Sequence, residues 1–171
     1  MFRRGTTDAL MLKGYADADW ASNRNDRKST SGYVFILGGG TTSWSSKKQS
    51  AVALSSTEAE YIAGGHTAKE AVWLRRLLSE LGQDMTEPTI LHIDNQSSIA
   101  LAHNPKFHDR TKHVDIQHHF LREKVENNEL LLQYLPTNEQ PANLLTKGLS
   151  REKHETFTKK IGLYTTICNM D

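Results

Sequence analysis

The amino-acid sequence predicts an α/β fold in which helices cover a mixed β-sheet. Three segments with strand patterns precede the first helical pattern, and two further strand patterns alternate with helical ones after it. The predicted order is three strands, one helix, one strand, two helices, one strand and one or two final helices. A chain of 171 residues is long enough for one domain with a sizeable core and too short for two ordinary domains.

Strand periodicity marks the beginning of the chain. From about Leu10 to Trp20, successive residues alternate between two sets, as expected for a strand. The polar stretch Ser22–Ser31 predicts a loop. Tyr33–Leu37 then predicts a second strand, and Gly38–Gly40 a turn into a hairpin partner at Thr41–Ser46.

A long helix is predicted from Thr57 to Leu81, and Gly82 supplies its stop. Small and apolar residues follow one another there at the spacings of one helix face. This inward stripe consists of Ala63, Gly64, Thr67, Ala71, Leu74, Leu78 and Leu81.

The second half of the chain alternates between the two patterns. Strands are predicted at Thr89–Asp94 and Glu129–Leu135. Helices are predicted at Ser97–His103, His113–Asn127, from Pro141 to near Gly148, and at Arg151–Ile161.

Composition narrows the class of protein. Hydrophobic residues make up 37% and charged residues 24%, which argues against a disordered chain. No apolar run approaches the roughly 20 residues of a membrane span, and no signal peptide is evident, so we expect no membrane partner. Cys168 is the single cysteine, which favours a reducing compartment. The net charge of +1 means that any phosphate-binding surface has to be local.

Three acidic residues lie where predicted strands and helices meet: Asp17 in the first strand, Glu60 near the start of the long helix, and Asp94 at the end of the fourth strand. Each also has a plain structural interpretation. Asp17 is compatible with a solvent-exposed strand residue, and Asp94 with a cap of the helix that follows it. Glu60 is compatible with an ordinary acidic residue in the first turn of a helix, where the helix dipole favours it.

Helical phase distinguishes Glu60 from Glu58. At about 100° per residue, Glu60 falls within about 60° of the inward stripe, whereas Glu58 points the opposite way. A carboxylate on a core-facing stripe is costly unless it is paired or bound to a cation, and no basic residue shares the stripe. Clustered carboxylates that leave room for water and phosphate are what two magnesium ions require.

Six strings of residues, in order along the chain, resemble the successive signatures of the ribonuclease H domain of copia-type LTR retrotransposon polyproteins. They are Gly14–Trp20, Arg27–Tyr33, Ser45–Gln49, Leu54–Tyr61, Asp94–Ser97 and Lys112–Ile116. One string alone would be weak, but six in order are specific. The resemblance implies a ribonuclease H-like fold with a five-stranded mixed sheet flanked by helices. It also implies a single domain over residues 1–171, with its core at about 10–165.

The resemblance further implies endonucleolytic hydrolysis of the RNA strand of RNA/DNA hybrids with two Mg²⁺ ions, for which Mn²⁺ can substitute. Carried over by position, the catalytic and metal-binding residues are Asp17, Glu60, Asp94 and Asn143. Asp17 would bridge the metals, Asp94 and Asn143 would hold the nucleophile-side ion, and Glu60 would lie on the leaving-group side. The implied partners are the hybrid and the reverse transcriptase of the same polyprotein, in the cytoplasm within virus-like particles.

Two positions depart from the related families. Asn143 stands where the retrotransposon family has an aspartate, ahead of the Thr-Lys pair that this chain keeps at Thr146 and Lys147. Decay of the element and deliberate inactivation would produce the same change. The loop Pro136–Gln140 lacks the histidine of cellular type 1 enzymes, so proton transfer or product release has to run differently, for example through water.

Small polar residues flank the acids and suit contacts with 2′-hydroxyls across a minor groove, although they also suit helix capping. They are Ser55, Ser56, Thr57, Asn95 and Gln96. Basic residues that suit phosphates, or simple solvation, are Lys47, Lys48, Arg110, Lys112, His113 and Arg122. A zinc site at His113, His118 and His119 would need a second cluster of Cys or His, so a helix face is favoured.

Two alternatives stay open. The amide at Asn143 is compatible with a non-catalytic module that binds hybrid or packs against a polymerase. An integrase or resolvase of the same superfamily is the weaker alternative. The spacing from Asp17 to Glu60 to Asp94, with the glutamate early on the first long helix, favours ribonuclease H over that alternative.

Overall fold

The computed structural model describes residues 11–23, 25–103 and 112–164. Its centre is a five-stranded sheet in the order β3-β2-β1-β4-β5. The strands are β1 Lys13–Asp19, β2 Thr30–Leu37, β3 Gly40–Lys48, β4 Thr89–Ile93 and β5 Leu130–Tyr134. The β1–β2 and β2–β3 pairs are antiparallel, whereas β1–β4 and β4–β5 are parallel. The predicted mixed sheet is confirmed, with strand ends that differ from the predicted ones by a few residues.

Four α-helices accompany the sheet in the described residues. They are α1 Ser56–Glu80, α2 Gln96–His103, α3 Lys112–Glu126 and α4 Arg151–Lys160. None of them is long and apolar enough to cross a membrane.

The α-helix predicted from Pro141 to near Gly148 is not present in the structure. A 3-10 helix of five residues covers Pro141–Leu145, and a second short 3-10 turn covers Thr137–Glu139. Asn143 uses its side-chain amide to donate a hydrogen bond back to the Thr137 carbonyl, at 2.7 Å. A side chain bonded to nearby backbone competes with regular helix, and five residues are too few for cooperative α-helix formation.

Helix α1 packs against β1, β4 and α3. Gly64 allows this close approach, because a Cβ there would lie 3.3 Å from a methyl of Leu121 and 3.4 Å from one of Ile93. The inward stripe is buried as far as Leu74 and half-buried at Leu78. Its last member, Leu81, is 68% exposed, so the prediction was wrong there. The helix ends at Glu80, and the chain turns away at Leu81.

The topology brings three element ends to one edge of the sheet. Parallel strands β1 and β4 finish at the same edge, since Ala16 pairs with Ile93. Helix α1 begins at that edge, because the backbone N–H of Ala18 on β1 bonds to Glu60 in its second turn. Side chains at the end of β1, after β4 and at the start of α1 therefore converge.

Candidate metal centre

The three predicted acids meet at this edge. Asp17, Glu60 and Asp94 each place a carboxylate oxygen within 4.8 Å of the oxygens of the other two. Asp17 lies on the central strand, Glu60 on the inner face of α1, and Asp94 directly after β4. The solvated-strand interpretation of Asp17 is wrong, because its side chain is fully buried.

Glu60 has a half-satisfied, buried carboxyl. The Ala18 N–H donates a 3.0 Å hydrogen bond to Glu60 Oε1, whereas Oε2 is buried without a hydrogen-bond partner. Burial, reinforced by the neighbouring charges of Asp17 and Asp94, raises the pKa of Glu60 to about 9. In the absence of a cation, this residue therefore keeps its proton at neutral pH.

Glu58 confirms the predicted helical phase. Its carboxylate accepts a 2.7 Å hydrogen bond from the Leu54 N–H, and its own N–H donates to the Ser55 hydroxyl. This reciprocal pair is a capping box that closes the N-terminus of α1. Two glutamates only two residues apart therefore face different surroundings, one at the helix cap and one in the acidic cluster.

Asp17 has partners on both carboxylate oxygens. Lys147 Nζ donates to Oδ1 at 2.9 Å, and the Thr146 hydroxyl donates to Oδ2. Asp94 is half-buried, and burial raises its pKa, while a hydrogen bond with the Thr137 side chain opposes that shift. Asp17 and Asp94 thus contact side chains from the segment that follows β5.

Asn143 lies beside the cluster, as its predicted position requires. It is 4% exposed, and Lys147 Nζ donates to its Oδ1 at 3.0 Å. Because the same ammonium contacts Asp17, the amide oxygen of Asn143 and the Asp17 carboxylate lie within about 6 Å of each other. The amide nitrogen, bonded to the Thr137 carbonyl, fixes which end of the side chain points toward the acids.

Three residues of this site were missed at the sequence level. Lys147 and Thr146 contact Asp17, and the Gln140 side chain donates to the carbonyls of Ala16 at 2.9 Å and His92 at 3.2 Å. Gln140 thereby anchors the C-terminal segment to both central strands. The Asn143–Lys147 spacing of one helical turn was a usable signal for Lys147, whereas nothing marked Gln140 as buried.

The residues present fit a divalent cation. Three carboxyl groups share a mostly buried edge, and Lys147 is the only ammonium that pairs with any of them in the described part of the chain. Glu60 Oε2 is buried without a hydrogen-bond partner, as expected for an oxygen that a bound cation would coordinate. All the donors are hard oxygens, the set that Mg²⁺ and Mn²⁺ prefer.

The small polar residues predicted to contact nucleic acid lie at two helix starts on this edge. Ser55 caps α1, and Asn95 Oδ1 accepts a 2.9 Å hydrogen bond from the Ser98 N–H at the start of α2. Capping is therefore confirmed for both, and it is Asn95 rather than Asp94 that caps α2. Ser56 and Gln96 are exposed and Thr57 is half-buried in the first turns.

The predicted basic residues that the structure describes have different surroundings. Lys47 is exposed at the end of β3, whereas Lys48 pairs with Asp26 at 2.6 Å. Arg122 is half-buried, and its charge opposes the rise in the pKa of the core residue Tyr61. The side chains of Arg110, Lys112, His113 and His118 lie outside the described residues, as does Cys168. His119 is exposed, and among the described residues the acidic cluster is the one group of three metal-ligating side chains.

Comparison with known proteins finds relatives in plant transposons. No family model matches the chain. The chain is 45% identical over 172 residues to the retrovirus-related Pol polyprotein from transposon TNT 1-94 of Nicotiana tabacum, an alignment that covers 96% of the chain. It is 44% identical over 161 residues to that from transposon RE1 of Arabidopsis thaliana, covering 94% of the chain. It spans only 13% and 11% of these polyproteins. The predicted resemblance is thereby confirmed.

Solved structures show the same architecture at low sequence identity. The N-terminal RNase H domain of a Mycobacterium tuberculosis protein, fused to maltose binding protein, matches with a TM-score of 0.56 at 12% identity, covering 88% of this chain and 97% of that one. LC11-RNase H1 in complex with RNA/DNA hybrid matches with a TM-score of 0.55 at 16% identity, covering 79% and 93%. The predicted ribonuclease H-like fold is thereby confirmed.

Proposed function

We propose that this chain, whose homologues are copia-type retrotransposon Pol polyproteins and whose fold is ribonuclease H-like, hydrolyses the RNA strand of RNA/DNA hybrids during reverse transcription. The single observation that carries the proposal is the convergence of Asp17, Glu60 and Asp94 within 4.8 Å at the edge where β1, β4 and α1 meet. The catalytic domain would comprise about residues 10–165.

The acidic cluster would hold two Mg²⁺ ions, which Mn²⁺ can replace. Asp17, Glu60 and Asp94 would supply anionic ligands, with the amide oxygen of Asn143 at the fourth position. When bound, such a pair of ions activates water and stabilises the attacking and leaving oxygens of an in-line displacement.

The protein holds these ligands in place by defined contacts. The Ala18 N–H orients Glu60, the Thr137 side chain orients Asp94, and the Thr137 carbonyl orients Asn143. Preorganised oxygens lose little free energy to reorganisation when the substrate arrives. The loop Pro136–Gln140 contains no histidine, so we expect solvent to carry the protons that leave the site.

Recognition of the hybrid would use the polar edge around the acids. Ser55, Ser56 and Thr57 at the start of α1, and Asn95 and Gln96 at the start of α2, offer hydroxyls and amides suited to 2′-hydroxyls and sugar edges. Lys47 is an exposed cation for a phosphate, and Lys112 and His113 stay candidates for the same role. The reverse transcriptase of the same polyprotein is the proposed protein partner, within virus-like particles in the cytoplasm.

A second candidate function is a hybrid-binding module without catalysis. Its specific support is that Asn143 stands where the resemblance implies an acid and that Lys147 contacts Asp17, one of the proposed metal ligands. An integrase-like or resolvase-like activity would instead require action on duplex DNA.

Cleavage of defined substrates distinguishes these functions. The purified chain is incubated with labelled RNA/DNA hybrid, duplex DNA or single-stranded RNA, in Mg²⁺, in Mn²⁺ and in EDTA. We expect metal-dependent cleavage of the RNA in the hybrid alone, and at least about a 100-fold loss in Asp94→Asn, since removal of a metal ligand costs several kcal/mol of transition-state stabilisation. Asp94→Asn should bind hybrid and melt no lower than the parent, because it removes a repelling charge. Hybrid binding without cleavage in either metal would support the non-catalytic module.

A further inference from the structure

Lys147 holds a position that a metal ion also requires. Its ammonium lies 2.9 Å from Asp17 Oδ1 and 3.0 Å from Asn143 Oδ1, and it is close enough to act electrostatically on Asp94 and Glu60. Asp17 is 0% exposed, and its other oxygen accepts the Thr146 hydroxyl. The central acid of the cluster therefore offers a metal no oxygen free of a protein donor.

We propose that Lys147 competes with the divalent metal for the acidic cluster. Its ammonium offsets part of the negative charge of the cluster while metal is absent, and it leaves Asp17 when metal binds. The proposal rests on the proposed function in one respect, that these acids bind metal at all. It concerns Lys147, which is not one of the proposed metal ligands, and it implies that the release of Lys147 lowers the apparent affinity for metal.

Electrostatics gives the reason for the exchange. Two cations cannot both lie against Asp17 Oδ1 at hydrogen-bonding and coordination distances without strong mutual repulsion at low dielectric. A divalent ion gains more from three carboxylates than a single ammonium does, so the metal displaces Lys147 at sufficient concentration. The ammonium's contribution to metal-free stability is then subtracted from the apparent free energy of metal binding.

The position of Lys147 allows its side chain to move from the acidic cluster into solvent. Its side chain is 31% exposed, whereas the Asp17 side chain is fully buried. It follows the 3-10 helix Pro141–Leu145, and its backbone N–H is bonded to the Asn143 carbonyl at 3.1 Å. The long, flexible side chain can therefore turn to solvent without any change in the backbone that holds Asn143.

Metal affinity in the absence of nucleic acid is the first test. Binding of Mg²⁺ is measured by calorimetry on the full chain, on Lys147→Met, on Lys147→Arg, and on Lys159→Met as a control at an exposed position of α4. We expect Lys147→Met to bind Mg²⁺ about tenfold more tightly, equivalent to about 1.4 kcal/mol. It should also melt lower than the parent without metal and gain more in Tm from Mg²⁺. Lys147→Arg and Lys159→Met should not bind more tightly.

A second measurement uses the unaltered protein, and so does not depend on the variants folding. Amine-selective labelling, followed by mass spectrometry, reports how accessible each lysine ammonium is. We expect labelling of Lys147 to be slow without metal and to accelerate when Mg²⁺ is added, while labelling of Lys159 stays constant. Unchanged labelling of Lys147 at saturating Mg²⁺, or unchanged or weaker Mg²⁺ affinity in Lys147→Met, would overturn the proposal.

These readouts separate the two proposals. Release of Lys147 by Mg²⁺ in a protein that cuts no hybrid would leave the competition intact and remove the nuclease function. Mg²⁺-dependent cleavage with no response of Lys147 would do the reverse. Failure of both the parent and Lys147→Met to bind Mg²⁺ would overturn both.

Discussion

Two regions of the chain supply the candidate metal centre, and they hold their side chains in different ways. Asp17, Glu60 and Asp94 come from the regular elements β1, α1 and β4, or directly follow them, so ladder and helix hydrogen bonds fix their backbones. Asn143 and Lys147 come from the segment between β5 and α4, which contains two short 3-10 helices. Side-chain hydrogen bonds from Gln140 and Asn143 hold this second region in place.

The difference shows where the charge of the site is adjustable. A change at β1, α1 or β4 alters a carboxylate whose backbone is buried in the sheet and core. A change at Asn143 or Lys147 alters a polar or charged group next to the same carboxylates, at a position outside the sheet. The departure at Asn143 lies in this second region, as does the competing ammonium of Lys147. We infer that the first region provides the anionic ligands and that the second region, with the neutral oxygen of Asn143 and the ammonium of Lys147, tunes their affinity for metal.

Substitution of the two glutamates of α1 is expected to give the largest effect. Glu60→Gln should reduce hybrid cleavage at least about 100-fold, because it removes an anionic ligand of the cluster. Glu58→Gln should leave cleavage nearly unchanged and cost at most about 1 kcal/mol of stability through the weakened capping box. Cleavage rates and thermal melts of both variants are the measurements. Equal loss of cleavage from both would show that the inward face of α1 does not define the site.

The same contrast explains how much could be predicted from the sequence. Periodicity was sufficient for the strands and for α1, and it separated Glu60 from Glu58, because both depend on local spacing. Periodicity could not reveal the contact of Gln140 with Ala16 or the pairing of Lys147 with Asp17. The partners are separated in sequence by 124 positions in the first contact and by 130 in the second. Periodicity also predicted too regular a helix after Pro141, where a side chain bonded to backbone replaces helical hydrogen bonds.

The pH dependence of metal-free stability should sharpen the comparison within the first region. Folding raises the pKa of Glu60 to about 9 from an ordinary value of 4.5, mainly by burial. Between these values the unfolded chain loses a proton that the folded chain keeps, so stability should fall as pH rises. One such group contributes a slope of at most about 1.4 kcal/mol per pH unit. The raised pKa of Lys147 acts above this range, because its ordinary value is 10.5.

Thermal melts in EDTA from pH 5 to pH 8 measure this slope. Glu60→Gln should flatten it, whereas Glu58→Gln should keep it, since only the first substitution removes the buried proton-binding group. Added Mg²⁺ should also reduce the slope, because a bound cation favours the ionised form of Glu60. An equal slope in the parent and in Glu60→Gln in EDTA would contradict the assignment of a protonated Glu60, because His66 and His92, whose pKa values are lowered by burial, contribute equally to both.

The smallest expected effect comes from the second region, at Asn143. Asn143→Asp adds a carboxylate beside Asp17 and strengthens the pairing of that position with Lys147, which draws the ammonium away from Asp17. Both consequences favour metal, so Mg²⁺ affinity and Mg²⁺-dependent cleavage should rise about tenfold, or about 1.4 kcal/mol. The parent should favour Mn²⁺ over Mg²⁺ more strongly than the variant does, because Mn²⁺ binds neutral N and O ligands more tightly.

The substitution also removes the 2.7 Å bond to the Thr137 carbonyl, so metal-free stability should fall by about 1 kcal/mol, and hybrid binding in EDTA serves as the control for an intact surface. If Asn143→Asp binds and cleaves no better than the parent across a matched Mg²⁺ titration, then Asn143 does not occupy the fourth ligand position, and the C-terminal segment tunes the site through Lys147 alone.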